Sequence, residues 1–363
     1  LDWLYALENP NNIDHDYGAF LSGIDAVVLG RNTYEEIMSF GVEWPYADCD
    51  TYILTSSSEF KIQTPRTSLL NILDINAVDQ LKAKSEKDIW IVGGGRLISS
   101  FLDLEAIAEQ SKAAGVPFIV DNTVASPALL NPIEHGANIV IHSLTKYLTG
   151  NGTSLGGIII DAGTFDWGNG LFPEFTEPNP SYHGLNYHEA LGAIAFIAKV
   201  RIEGLRDLGS APSPFNSFQT IQGIETLDIR MKKHSENALK LSAWLSTRDE
   251  VAWVNYPGLK TSKYNSLAQK YLPKGQSGIV TFGLKSGFEG GKKVADHTKL
   301  FALLANIGDT KSLIIHPAST THQQLDEATQ KTTGVTQDLI RLSVGIEDIK
   351  DLTDDLEAAF AQL

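Results

Sequence analysis

Two short apolar runs carry the most informative residues of this chain. Val116-Pro117-Phe118-Ile119-Val120 ends in Asp121-Asn122-Thr123, and Asn138-Ile139-Val140-Ile141-His142 leads into Ser143-Leu144-Thr145-Lys146. Continuous apolar segments of this length read as strands buried on both faces of a parallel sheet. Between them Pro127–His135 reads as a helix stopped by Gly136, so the two strands are expected to be parallel and close together. Ligands of such sheets gather beyond the carboxyl ends of the strands. Asp121 and Lys146 both fall there, which predicts an anionic and a cationic side chain on one sheet edge.

Pyridoxal 5′-phosphate (PLP) chemistry needs such a pair. A lysine amine forms a Schiff base with the cofactor aldehyde, and a carboxylate opposite the pyridine nitrogen keeps that nitrogen protonated. Ser143 and Thr145 flank the lysine and are candidate phosphate contacts. On spacing alone, the same residues also fit a surface lysine and a turn aspartate. Ser143-x-x-Lys146 further matches the nucleophilic Ser-x-x-Lys of penicillin-binding enzymes, but Lys331-Thr332-Thr333-Gly334 departs from the Lys-Thr-Gly element those enzymes also carry.

Outward from this unit, Leu104–Ala114 reads as an amphipathic helix closed by Gly115, and Leu155–Asp161 as a third strand. The stretch 163–186, rich in Gly, Pro and aromatics, is long enough to suggest a functional loop. Its Trp167, Phe172 and Phe175 fit a lid or packing equally well. Helices are expected at His188–Val200 and Ser217–Thr247. Strands Val251–Tyr256, Gly278–Leu284, Ser312–His316 and Leu339–Val344 then suit a separate α+β domain. The terminal stretch Asp348–Glu357 reads as the solvated face of a helix with Leu352, Leu356 and Phe360 inward.

The front of the chain has its own strand–helix alternation: strands Asp25–Leu29, Thr51–Thr55 and Asp88–Val92, with helices near Tyr34–Phe40 and Ile75–Lys84. Gly30-Arg31-Asn32-Thr33 and Gly93-Gly94-Gly95-Arg96 each follow a strand and open a helix. Such turns let a backbone approach a phosphate at a helix N-terminus.

A formal charge of −15, spread over front and rear alike, argues against nucleic acid or an anionic membrane as the main partner. No apolar run is long enough to span a bilayer. The single Cys49 excludes an internal disulfide and a Cys-rich metal site, and a reducing cytoplasmic setting is the simplest fit. His183 and His188 match no zinc spacing, and His316 reads as a satisfied, partly buried histidine. The chain starts at Leu1 without an initiator Met, from which a processed or incomplete front is expected.

Ile141-His142-Ser143-Leu144-Thr145-Lys146-Tyr147-Leu148, with Val120-Asp121-Asn122-Thr123, Ser312–Ser319 and Ile340–Glu347, resembles the Cys/Met-metabolism family of fold-type-I PLP enzymes over residues 103–363. The resemblance implies Lys146 as the Schiff-base lysine and acid/base and Asp121 as the pyridinium partner. It places Ser143 and Thr145 on the phosphate, Arg341 on the substrate α-carboxylate and Ser312 near the substrate amine. The extended segment Gly163–Asn186 looks like that of O-acetylhomoserine sulfhydrylases, implying conversion of O-acetylhomoserine and sulfide to homocysteine and acetate. Family members usually assemble as dimers of dimers. The Arg/Tyr arm, the Gly-rich phosphate loop and the ring-stacking Tyr that normally precede residue 103 have no visible counterpart, so weakened PLP retention is expected.

Residues 1–102 resemble dihydrofolate-reductase-like proteins of the riboflavin-reductase branch, which implies an NADPH site at Gly30, Arg31, Thr33, Gly93, Gly94 and Gly95. Ser56 and Ser57 would lie near the adenosine end, and Asp16 would be a pocket carboxylate. The expected architecture is therefore α/β in three parts. A truncated reductase-like segment spans 1–102, the later part of a PLP-binding domain spans 103–216, and a C-terminal α+β domain spans 217–363. A reductase acting through the front segment, or a non-catalytic mosaic chain, are the rival functions. Strand Ile89–Val92 is expected to extend the sheet of Val116–Val120.

Overall fold

The alternation of strand and helix recurs in the computed structural model, which describes residues 23–39, 44–55, 60–71, 88–92 and 103–363. The chain divides into one unit of Leu1–Phe101 with Lys331–Gly334 and another of Leu102–Gln330 with Val335–Leu363.

In the first unit, β1 (Ile24–Gly30), β2 (Asp50–Thr55), β3 (Thr67–Asn71) and β4 (Asp88–Val92) form a sheet in the order β3-β2-β1-β4. Every strand pair in it is parallel. The central strand β1 is apolar because both of its faces are covered: Ala26, Val27, Val28 and Leu29 are all buried. Helix α1 (Arg31–Ser39) starts directly after Gly30, a little earlier than the sequence suggested, and turns Tyr34 into the core beside Ile53. Strand β3 was not anticipated; it is a five-residue sheet edge with little apolar signal. The expected helix Ile75–Lys84, and Asp16, Ser56, Ser57, Gly93, Gly94 and Gly95, lie outside the described residues.

In the second unit, α2 (Leu104–Ala114) has the expected bounds. Asp103 accepts the N–H groups of Glu105 and Ala106 at its start, and Gly115 closes it at φ 68°. Strand β5 (Ile119–Asp121) pairs in parallel with β6 (Ile139–Ser143), and β7 (Gly157–Asp161) joins β6 antiparallel. β5 is shorter than its apolar run because Pro117 has no N–H and the Phe118 N–H goes to the Asn138 side chain at 2.9 Å. β4 pairs with β1 within the first unit, and β5 with β6 within the second.

The two expected long helices are interrupted. Gly192, at φ 53°, breaks the segment around His188–Val200. Thr226, at φ −107° and ψ 4°, separates α3 (Pro214–Glu225) from α4 (Leu227–Leu245). In the long loop, Trp167 stacks on Phe175 at 4.4 Å and on Phe196 at 5.1 Å between ring centroids. Trp167 and Phe175 are buried, so these aromatics are a local core.

The rear sheet has the order β10-β11-β12-β9-β8: β8 (Val251–Asn255), β9 (Ile279–Leu284), β10 (Ala302–Leu303), β11 (Leu313–Ile315) and β12 (Leu339–Ser343). Helices α4, α5 (Gly287–His297) and α6 (Ile349–Phe360) pack on it through one apolar core. Leu352, Leu356 and Phe360 point into that core, as their spacing predicts.

Candidate active site

After Ser143 the chain makes one wide helical turn, Leu144–Leu148, closed by Thr149 N–H to Leu144 O at 3.1 Å and by Gly150 N–H to Lys146 O at 2.8 Å. Lys146 itself is non-helical, at φ −94° and ψ −130°. Its Nζ donates to Asn306 Oδ1. The backbone carbonyl of the same Asn306 accepts from Arg341 Nη2 at 3.3 Å. Asn306 lies in the loop between β10 and β11, and Arg341 sits on β12 opposite Thr281 and Ile315. No carboxylate forms an ion pair with Lys146 or Arg341 among the described residues. Burial, followed by the Arg341 charge, pushes the Lys146 amine below the ordinary lysine value. A larger fraction of this amine is therefore neutral, the state that attacks a carbonyl.

Asp121 ends β5 in register with Ile141 of β6. It is exposed, on a sheet face where Ile119 is 48% and Ile159 is 38% accessible. Its Oδ1 accepts the Thr123 N–H at 3.0 Å. Thr123 Oγ1 in turn accepts the Ser143 N–H at 2.8 Å, which ties the segment beyond β5 to the one that carries Lys146. His142 is buried, and burial holds it below the usual histidine range while the Asp121 charge acts in the opposite sense.

The remaining expected residues fall as follows. Ser143 is half-buried at the start of the lysine turn. Thr145 Oγ1 accepts the Gly156 N–H at 3.2 Å. Ser312 is fully buried; its hydroxyl donates to Glu347 Oε2 at 2.9 Å and accepts the Gly345 N–H at 2.7 Å. That hydroxyl is engaged in closing the backbone after β12, whereas Lys146 and Arg341 meet at Asn306. Gly30, Arg31 and Thr33 stand at the β1–α1 turn of the other unit. There Arg31 pairs with Glu35 at 3.0 Å and lies 4.8 Å from the Phe60 ring centroid. His316 is buried and satisfied by Ser319 and the Gln337 carbonyl. No cluster of His, Cys, Asp and Glu suited to a metal occurs among the described residues.

Asn306 escaped the sequence reading, since an asparagine in a loop carries no periodic or motif signal. Its only hint is a position a few residues ahead of Ser312–Ser319.

A model of the Cys/Met metabolism PLP-dependent enzymes matches residues 43–361. The chain belongs to that family. The match begins well ahead of residue 103, so the family likeness reaches further into the front than the motifs alone indicated. The O-acetyl-L-homoserine sulfhydrylase of Leptospira meyeri is 55% identical over 271 residues, covering 72% of this chain and 61% of that protein. The homocysteine synthase of Schizosaccharomyces pombe is 41% identical over 94% of this chain and 79% of its own length. A solved Campylobacter jejuni structure described as an O-acetylhomoserine (thiol)-lyase superposes with a TM-score of 0.69 at 34% identity. It covers 93% of this chain and 77% of that one, and holds a lysine bearing pyridoxyl 5′-monophosphate. The chain spans 61% and 65% of the first two sulfhydrylases it matches.

The donor set fits PLP chemically. Lys146 offers an amine shifted toward neutrality by burial and by Arg341. Asp121 offers an accessible carboxylate that a pyridinium can approach, and Ser143 adds a hydroxyl on the linked segment.

Proposed function

We propose that the residues around Lys146 act as an O-acetylhomoserine sulfhydrylase, exchanging the acetyloxy group of O-acetylhomoserine for sulfide to give homocysteine and acetate. The observation that carries this reading is the convergence of Lys146 and Arg341 on Asn306, in a chain whose relatives bear sulfhydrylase and homocysteine synthase names. PLP, when bound, supplies the electron sink that stabilises negative charge at the substrate α-carbon.

The chain's own residues divide the remaining work. Arg341, free of a carboxylate partner among the described residues, holds the substrate α-carboxylate through its planar fork. Lys146 takes a proton from the α-carbon and then one from the β-carbon and returns one to each, a task suited to an amine with a lowered pKa. Asp121 holds the pyridine nitrogen in its protonated form, and Ser143 with Thr145 serve the phosphate. Exchange at the γ-carbon breaks a C–O bond and forms a C–S bond, with no net oxidation. Release of homocysteine from O-acetylhomoserine and sulfide, abolished in Lys146→Ala, tests the reading.

As the alternative to that reading we propose an NADPH-dependent reductase of the dihydrofolate-reductase-like kind acting through residues 1–102, although the family match from residue 43 onward favours the first reading there. Its support is the β1–α1 turn, where Gly30 ends a parallel strand and Arg31 and Thr33 open a helix N-terminus. Saturable NADPH binding weakened by a bulky residue at Gly94 supports it; no binding at millimolar cofactor removes it. Failure of both cofactors in a chain that unfolds cooperatively would leave the non-catalytic mosaic. We further propose a cytoplasmic setting, in keeping with the single Cys49, and, from the PLP-family resemblance, assembly as a dimer or tetramer acting on small molecules. No described helix is long and apolar enough to cross a membrane.

A further inference from the structure

Arg230 is a buried cation without a counter-ion among the described residues. It sits near the start of α4, is 8% exposed, and takes part in no ion pair there. Every hydrogen bond recorded for it goes to a neutral oxygen. Nε donates to Thr226 Oγ1 at 3.1 Å, Nη1 to Tyr147 O at 2.7 Å, and Nη2 to Leu148 O at 3.3 Å and Gly223 O at 2.6 Å. Taking a guanidinium out of water without a carboxylate is unfavourable, so the compensation must come from these acceptors.

Two of the acceptors belong to the residues directly after Lys146. Among the described residues the Tyr147 and Leu148 carbonyls receive no backbone N–H, because the closing bonds of the wide turn end on Leu144 O and Lys146 O. Arg230 satisfies both. The surrounding glycines show how closely the clamp is built. A Cβ on Gly150, which has φ +83°, would stand 2.4 Å from Arg230 Nη1, and one on Gly223 would stand 2.5 Å from the Leu148 and Thr149 oxygens. On the other side, a Cβ on Gly308 would lie 2.7 Å from the Tyr147 backbone nitrogen. Gly308 is two residues from Asn306, the residue that receives Lys146 Nζ.

We propose that Arg230 is a positioning residue for Lys146: its guanidinium locks the backbone of the lysine turn between α3 and the Asn306–Gly308 loop, and so fixes where the amine stands. Arg230 touches no reacting atom; it acts through the Tyr147 and Leu148 carbonyls. The proposal rests on Lys146 being the reactive amine of the sulfhydrylase reading, yet it concerns the free chain and is read without cofactor.

The test is competitive labelling of lysines with trace acetic anhydride across pH 6–11, on the full chain without added PLP, with Lys146 followed by peptide mass spectrometry against exposed Lys240. Wild type, Arg230→Met and Arg230→Lys are compared, each with a thermal unfolding curve. Loosening the turn exposes the amine and moves it away from Arg341, so in Arg230→Met the Lys146 labelling midpoint should rise by about one pH unit, a tenfold smaller neutral fraction below it. Arg230→Lys, which can reach one carbonyl, should fall between the two. An Arg230→Met chain with a lowered melting temperature and an unchanged Lys146 profile would overturn the proposal, since Arg230 would then be structural only. If Arg230→Met does not fold, Thr226→Val replaces by a methyl the hydroxyl that accepts from Nε and itself reaches Gly223 O at 3.3 Å. A raised midpoint there supports the proposal and an unchanged one contradicts it. Loss of PLP uptake or turnover in wild type would strike the sulfhydrylase reading alone and leave the labelling comparison intact.

Discussion

Lys146 and Arg341 converge on one residue from different sheets: Lys146 Nζ donates to the side-chain oxygen of Asn306, and Arg341 Nη2 donates to its backbone oxygen at 3.3 Å. Two cations held together in a half-buried setting each make the other's charge less welcome, which favours the neutral amine on the lysine. Asn306 should therefore control the amine. In Asn306→Asp a carboxylate faces Lys146, so its pKa should rise and the pH at which PLP is taken up should move alkaline. In Asn306→Ala the direction set by burial and Arg341 should persist, with weaker retention. Absorbance titrations with PLP at several pH values separate the two.

Arg341 should matter for substrate binding more than for cofactor capture. Replacing its fork by the point charge of lysine removes bidentate recognition of a carboxylate. Arg341→Lys should lower kcat/KM by roughly 10–100-fold, mostly through KM, while PLP uptake is retained. Steady-state kinetics with O-acetylhomoserine and sulfide measure this; an unchanged KM would remove Arg341 from the carboxylate role.

Asp121 should act on reactivity more than on retention. Asp121→Asn keeps the size of the side chain but loses the charge that keeps a pyridine nitrogen protonated. The variant should still take up PLP, with turnover reduced by at least about 100-fold if the carboxylate contributes as a positioned general electrostatic group. Comparing uptake with single-turnover rate decides it.

Acid should destabilise the rear unit through His234. This residue on α4 is fully buried, with Nδ1 2.7 Å from Val344 O. Burial holds it at about 4 against an ordinary 6.5, with the Val344 carbonyl opposing and the Arg230 charge adding to the shift. The folded chain keeps His234 neutral where the unfolded chain binds a proton. Its contribution is thus full above pH 6.5 and is lost as the pH falls toward 4. The shift corresponds to about 3 kcal/mol at most. Urea unfolding at pH 7 and pH 4.5 should show a smaller loss in His234→Gln than in wild type.

The strands around the site were legible because burial on both faces demands unbroken apolar runs. Ile139–Ser143 and Ile119–Asp121 appear where Asn138–His142 and Val116–Val120 were expected, within the few residues that Pro117 and side-chain capping remove. Lys146 and Asp121 were legible as charged residues at strand ends. Asn306 and Arg230 were not. An asparagine in a loop and an arginine on a long helix look like surface polarity in one dimension, and only the folded backbone brings their donors and acceptors to the lysine turn. Ser312 was expected near the substrate amine; its hydrogen bond to Glu347 spans too much of the chain for spacing to reveal. The helix around His188–Val200 breaks at Gly192, where the chain adopts φ 53°, a choice that glycine permits but does not announce.

The most direct test is to titrate PLP into the purified chain, reduce with borohydride and map the modified lysine by peptide mass spectrometry. A saturable visible absorbance band and a pyridoxyl group on Lys146 are expected, with both lost in Lys146→Ala. A band of equal size in Lys146→Ala, or modification spread over surface lysines while Lys146 stays free, would contradict it.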